Sequence, residues 1–125
     1  MKVLCIEDNR ADAFLLEEML RINYGEKMRL RWEGSLREGL LRLLESKFDM
    51  IFLDLGLGES HGLDTFKSVA AIAKGTPILV VSGLDDQDIA TKAVELGAEG
   101  YFVKGGFTES ILKSKVEAIL EKMNN

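Results

Sequence analysis

The sequence predicts an α/β domain: a doubly wound, five-stranded parallel sheet of order 2-1-3-4-5 with helices on both faces. Three observations predict it. Strand-like and helix-like segments alternate along all 125 residues in (βα)5 order. Three strand segments, "KVLCI", "MIFL" and "PILVV", are uninterrupted apolar runs, as expected of strands covered on both faces. The second strand segment, "MRLRWEG", alternates instead, which suits a sheet edge. Right-handed crossovers then give the stated order.

The elements follow in turn. "KVLCI" stops at Glu7-Asp8, and a helix from about Arg10 to Ile22 places Ala11, Phe14, Leu15, Met19 and Ile22 on one face. In "MRLRWEG", Met28, Leu30 and Trp32 point one way and Arg29, Arg31 and Glu33 the other. "SLREGLLRLLES" reads as a helix capped by Ser35, with Leu36, Leu40, Leu43 and Leu44 on one face. Then come "MIFL", a helix near Leu63 to Ala73, "PILVV", a helix near Asp86 to Leu96, "YFV", and a helix near Thr108 to Met123. Pro77 opens the fourth strand, where a missing donor does little harm. There is no repeat, linker or low-complexity segment.

Composition narrows the function classes. With 46% hydrophobic and 30% charged residues, the chain can bury a core and stay soluble. A net charge of −5 argues against nucleic acid or an anionic membrane as partner. No apolar run approaches the roughly 20 residues of a membrane span. "MKVLCIED" reaches carboxylates too soon for a signal peptide. A single cysteine, Cys5, excludes an internal disulfide, so a cytoplasmic setting is expected, with Cys5 as a small core residue.

In such a sheet the site lies outside the carboxyl ends of the strands, at the switch point between the first and third. Those ends carry Glu7 and Asp8, Asp54, Ser82 followed by Gly83, and Lys104. Taken singly, each has an ordinary reading. Glu7 and Asp8 are solvated turn residues, or Asp8 caps the first helix; Asp54 begins a loop; Lys104 is a surface lysine. Taken together they form a layout. Carboxylates facing each other repel unless a cation sits among them, and Mg2+ takes oxygen ligands. An anionic group held between metal, lysine and hydroxyl is the arrangement for phosphoryl transfer, and a carboxylate can be the nucleophile.

"CIEDN", "MIFLDL", "PILVVSG" and "GAEGYFVKG", in that order and spacing, resemble the receiver domain of two-component response regulators, over essentially the whole chain. The resemblance implies a flavodoxin-like (βα)5 fold and one receiver domain over residues 1–125, standing alone in the chemotaxis manner or cut from a larger regulator. It implies a phosphorylation-dependent signalling switch rather than an enzyme, with at most slow self-dephosphorylation. Asp54 would accept a phosphoryl group from a sensor histidine kinase or phosphotransfer protein. Asp8 would bind Mg2+ directly, Glu7 mainly through water, and Asp54 and the Gly56 carbonyl would complete the protein ligands. Ser82 and Lys104 would hold the phosphoryl oxygens, and Ser82 and Tyr101 would form the switch. Tyr101 also has a plain reading, as a strand aromatic that packs. The output face would be the fourth helix, fifth strand and fifth helix, about Asp86 to Lys122, met by a downstream protein or, as a homodimer, by its own copy.

The chain departs from the family at four points. Glu7 stands where aspartate is commoner, Ser82 replaces threonine, and Gly58 and Gly105 stand where proline is usual. A cis bond before Gly105 would cost about 2.5–4 kcal/mol, so Lys104-Gly105 is either trans with a rearranged loop or held in strain. The rival motifs lack partners. "GESHG" fits a hydrolase elbow at Ser60, but the only histidine, His61, is adjacent and no downstream base exists. "GLGESHG" follows the third strand, not the first, so it is no dinucleotide fingerprint. A flavin phosphate after the first strand would meet Glu7, Asp8 and Asp12. His61 lacks a companion metal ligand and reads as an exposed loop residue, and Ser60 as a loop residue or cap. The alternative function is a receiver-like interaction module that does not use phosphorylation.

Overall fold

The computed structural model describes residues 1–58 and 60–124, with the backbone alone at residue 61. Strand β1 (Lys2–Ile6) leads to α1 (Arg10–Tyr24) and, after a 3-10 turn at Gly25–Lys27, to β2 (Arg29–Glu33). Then follow α2 (Leu36–Glu45), β3 (Met50–Leu53), α3 (Leu63–Ala73), β4 (Ile78–Ser82), α4 (Gln87–Glu95), β5 (Gly100–Val103) and α5 (Glu109–Met123). All neighbouring strands of the main sheet are parallel, in the order β2-β1-β3-β4-β5. The β3–α3 loop adds a small antiparallel pairing of Gly56–Leu57 with Ser60–His61.

The apolar runs explain the layers. Successive residues of a strand face opposite sides. Val3, Cys5, Met50, Phe52 and Leu79 therefore pack with Ala13, Leu16, Leu20, Leu112, Val116 and Ile119, so α1 and α5 cover one face. Leu4, Ile6, Ile51, Leu53 and Val80 pack on the other face with Leu36, Phe66, Val69 and Ala93, from α2, α3 and α4. In α2 the chain comes down hard on β1: a Cβ at Gly39 would lie 2.5 Å from Ile6 Cδ1 and 2.7 Å from its Cγ1. Glycine there admits the close approach.

The inward face of α1 differs from the one its sequence suggests. Ala13, Leu16 and Leu20 are buried, while Phe14, Leu15 and Ile22 are 58%, 60% and 68% exposed. Ala11 is exposed too, and Met19 is half-buried. Apolar residues wrap most of this helix, so spacing alone leaves its rotation open. Entry from β1 and packing beside α5 set it: Asn23 Nδ2 donates to Glu109 Oε2 at 2.7 Å and Tyr24 Oη to Glu117 Oε1 at 3.2 Å. In α2, Leu36 is buried and Leu40 and Leu43 are half-buried, but Leu44 is exposed.

Caps follow the local chemistry. Asn9, not Asp8, caps α1, accepting from the Asp12 N–H at 3.1 Å. Ser35 caps α2 as its sequence predicts, accepting from the Glu38 N–H at 3.1 Å. Gly62, with φ +67°, occupies the cap position of α3 and offers no side chain. Ser60 is therefore not its cap; its Oγ accepts from the Thr65 hydroxyl at 2.9 Å. β2 is an edge strand as expected, but Trp32 is exposed, and its Nε1 donates to the Glu7 carbonyl at 2.7 Å.

Candidate functional site

The switch point between β1 and β3 gathers the acids, and the sheet itself places them. Each strand ladder runs one residue past its strand. The Glu7 N–H donates to the Glu33 carbonyl at 3.1 Å, the Asp54 N–H to the Ile6 carbonyl at 3.0 Å, and the Lys104 N–H to the Ser82 carbonyl at 2.8 Å. Side chains rooted in paired backbone are held more rigidly than loop side chains.

Lys104 is the centre of the cluster. Its Nζ lies 2.7 Å from Glu7 Oε1, 2.8 Å from Asp12 Oδ2 and 3.2 Å from Asp54 Oδ2. Glu7 and Asp54 are buried and Lys104 half-buried. Burial works to lower the ammonium's pKa, but hydrogen bonds to Asp12 and Glu7 and the charges of Asp54 and Glu7 outweigh it, so the lysine stays charged. Burial pushes Glu7 up to about 7; a hydrogen bond shared with Asp54 adds to the rise, while Lys104 and the Asn9 N–H oppose it. That N–H donates to Glu7 Oε2 at 3.1 Å, and the Gly56 N–H donates to Asp54 Oδ1 at 3.0 Å. Cys5 lies beneath the acids; burial first, then Glu7, pushes its thiol up to about 12, so it is a protonated core residue.

The donor set fits a hard divalent cation. Glu7, Asp8 and Asp54 each offer a carboxylate oxygen, all within 4.8 Å of one another, with Asp8 exposed and the other two buried. Such an all-oxygen set suits Mg2+. Gly56 adjoins Asp54 through its own N–H. The crevice lined by Glu7, Asp12 and Asp54 measures only about 10 Å3, room for a group the size of one water.

Ser82 and Tyr101 are near but turned elsewhere. Ser82 is fully buried, and its Oγ accepts from the Leu84 N–H at 3.2 Å. Tyr101, half-buried, donates its hydroxyl to the Leu84 carbonyl at 2.7 Å. Its pKa is raised, by burial foremost, with Asp86, Asp54 and Asp85 adding to the rise and Ser82 opposing it. The two side chains thus grip the same loop residue from its two backbone groups. The Lys104–Gly105 bond is trans, since the described residues contain no cis peptide bond, and Gly105 turns the loop at φ +79°. The trans alternative therefore holds, and glycine is the residue that permits that φ.

Asp12 is the residue that sequence reasoning did not place in the site. It reads there only as one more acid near a helix start. A signal was present: one turn past the N-cap of a helix that begins at a strand's carboxyl end, a side chain can reach back over the crevice. The side chain of His61 lies outside the described residues, so its reading as an exposed loop residue stays with the sequence.

The model of the response regulator receiver domain matches residues 3–117. The chain belongs to that family: the phosphorylation-dependent signalling modules of two-component response regulators. Among relatives, it is 29% identical over 98% of its length to the cell cycle transcriptional regulator CtrA of Caulobacter vibrioides, covering 51% of that protein. It is 26% identical over 82% of its length to the transcriptional regulatory protein ZraR of Salmonella typhimurium, covering 22% of it. It thus spans about half the length of the first of these curated relatives and about a fifth of the second. Among solved structures, a two-component response regulator from Clostridium difficile superposes with a TM-score of 0.87 at 23% identity, covering all of this chain and 99% of the other. A response regulator described as putative, from Chloroflexus aurantiacus, gives 0.81 at 27% identity over 96% of this chain and 97% of its own.

Proposed function

We propose that Asp54 accepts a phosphoryl group from a sensor histidine kinase or phosphotransfer protein and that the domain acts as a Mg2+-dependent switch. The observation that carries this reading is the contact of Lys104 Nζ with Asp54 Oδ2 at 3.2 Å, where Glu7, Asp8 and Asp54 converge among the described residues. Asp54 attacks phosphorus through a carboxylate oxygen. A new P–O bond forms as the bond from phosphorus to the donor atom breaks, and the donor leaves with its electron pair. Lys104 then pairs with a phosphoryl oxygen, and the Ser82 hydroxyl donates to another. Glu7, Asp8 and Asp54, with the carbonyl of Gly56, would hold Mg2+, which when bound supplies positive charge against the phosphoryl oxygens. Release of the phosphoryl group to water would be slow self-hydrolysis, with no metabolite turned over.

Leu84 supports the switch. Turning Ser82 Oγ toward a phosphoryl group gives up its bond from the Leu84 N–H, which loosens the loop that Tyr101 holds by the Leu84 carbonyl. That loop leads into α4, so the phosphoryl group biases the face built by α4, β5 and α5. Leu84, Val94, Leu96 and Ile111 lie exposed along it, as a surface for a downstream protein. No described helix is long and apolar enough to cross a membrane.

Incubation with Mg2+ and acetyl phosphate, followed by mass measurement of the intact protein, tests the reading. One phosphoryl group should add to the wild type and none to Asp54→Asn. No gain in the wild type, or an equal gain in the variant, removes Asp54 as acceptor.

A further inference from the structure

We infer that Asp12 is a positioning residue that holds Lys104 partly away from Asp54 in the resting state and so sets how readily Asp54 is phosphorylated. The inference rests on the phosphoacceptor reading and adds to it a residue outside the acceptor, metal and switch sets.

The geometry of one ammonium group carries it. Lys104 Nζ has three hydrogens and three carboxylate neighbours. The contacts to Glu7 and Asp12 measure 2.7 and 2.8 Å, and the contact to the acceptor Asp54 is the longest at 3.2 Å. Glu7 and Asp54 also belong to the carboxylate group that can share a cation with Asp8; Asp12 does not. The position of Asp12 is fixed from behind, because its N–H is the one that the Asn9 cap holds at 3.1 Å. A carboxylate in the first turn of α1 is also favoured there by the helix dipole.

A phosphoryl group on Asp54 brings roughly −1.5 to −2 units of charge and three acceptor oxygens. Lys104 must turn a hydrogen toward it, so one of its two shorter contacts has to lengthen. The Asp12 side chain is 33% exposed, against 6% for Glu7. Water can replace the ammonium at Asp12 at low cost, whereas an unpaired Glu7 would be left buried. The Asp12–Lys104 pair is therefore the contact that gives way. Beside it, a cavity of about 190 Å3 bordered by Leu15, Val81 and Phe107 leaves the lysine side chain room to shift. With Asp12 uncharged, the ammonium is shared between Glu7 and Asp54 alone and sits closer to the acceptor before any donor arrives.

The test is a rate cycle in acetyl phosphate and Mg2+, reading the initial gain of phosphoryl mass at Asp54 with acetate as leaving group. Asp12→Asn keeps the shape and removes the charge; its rate should rise roughly three-fold, the size expected of a partly exposed ion pair. Asp12→Glu, which keeps the charge, should rise less. In a Lys104→Gln background, the gain from Asp12→Asn should vanish. Melting curves establish that each protein is folded, and Asp12→Ser replaces Asp12→Asn if the latter does not fold. An unchanged or slower rate in Asp12→Asn overturns the inference while leaving Asp54 as acceptor. An equal gain with Lys104→Gln also overturns it, because Asp12 would then act by charge without the lysine. Absence of phosphoryl mass on the wild type overturns the phosphoacceptor reading itself, and this inference with it.

Discussion

Glu7 carries a consequence of being a buried acid among acids. Its ordinary value of 4.5 rises to about 7, burial being the main cause. An acid whose pKa is raised by folding binds its proton more tightly folded than unfolded. Its ionisation therefore opposes folding: stability falls as pH rises from about 4.5 to about 7, and the full penalty is present above that. In chelator, melting temperature should decline across this window, and Glu7→Gln should remove that part of the decline. An identical pH profile in the variant would refute the assignment. The same residue explains why glutamate serves here: its reach lets Oε1 meet Lys104 while Oε2 accepts the Asn9 N–H.

At the scale of elements, α2 and β1 meet through Gly39 and Ile6. A helix interior normally favours alanine over glycine by about 1 kcal/mol. Here the added methyl would press on Ile6, a fully buried side chain, and overpacking costs about 1–3 kcal/mol. Gly39→Ala should therefore destabilise by about 1 kcal/mol, read as a drop in denaturant midpoint. The loss should shrink in an Ile6→Val background, which removes Cδ1, the nearest of the atoms met; a cost unchanged by Ile6→Val would show that Cδ1 is not what the methyl presses on. The α1 helix makes the complementary point. Its apolar residues exceed what one face can bury, so Phe14, Leu15 and Ile22 lie exposed while Leu16 and Leu20 go inward.

For the molecule as a whole, a cation held by the acid cluster would couple binding to stability. Glu7, Asp8 and Asp54 stand together only in the folded chain, since β1 and β3 bring them there. A cation that binds this state alone stabilises by about 2.7 kcal/mol at 100 times its Kd. Saturating Mg2+ at pH 8 should thus raise the melting temperature by several degrees, and Asp8→Asn should abolish most of the rise. No Mg2+ response in the wild type would argue against the site.

Much of this was legible in the sequence, for a physical reason. Strand burial on two faces writes itself as apolar runs, edge exposure as alternation, and strand ends as the first polar residue after each run. So the order 2-1-3-4-5 and the meeting of Glu7, Asp54 and Lys104 follow from local chemistry and chain topology. Other features depend on how elements dock. The rotation of α1, the cap at Asn9 instead of Asp8, the trans bond into Gly105 and the grip of Ser82 and Tyr101 on Leu84 are such features. Asp12 is the clearest case: it lies 92 residues from Lys104 in the chain and 2.8 Å from it in space. No periodicity encodes that pairing, because it arises where the N-terminal turn of α1 and the end of β5 close over the same crevice.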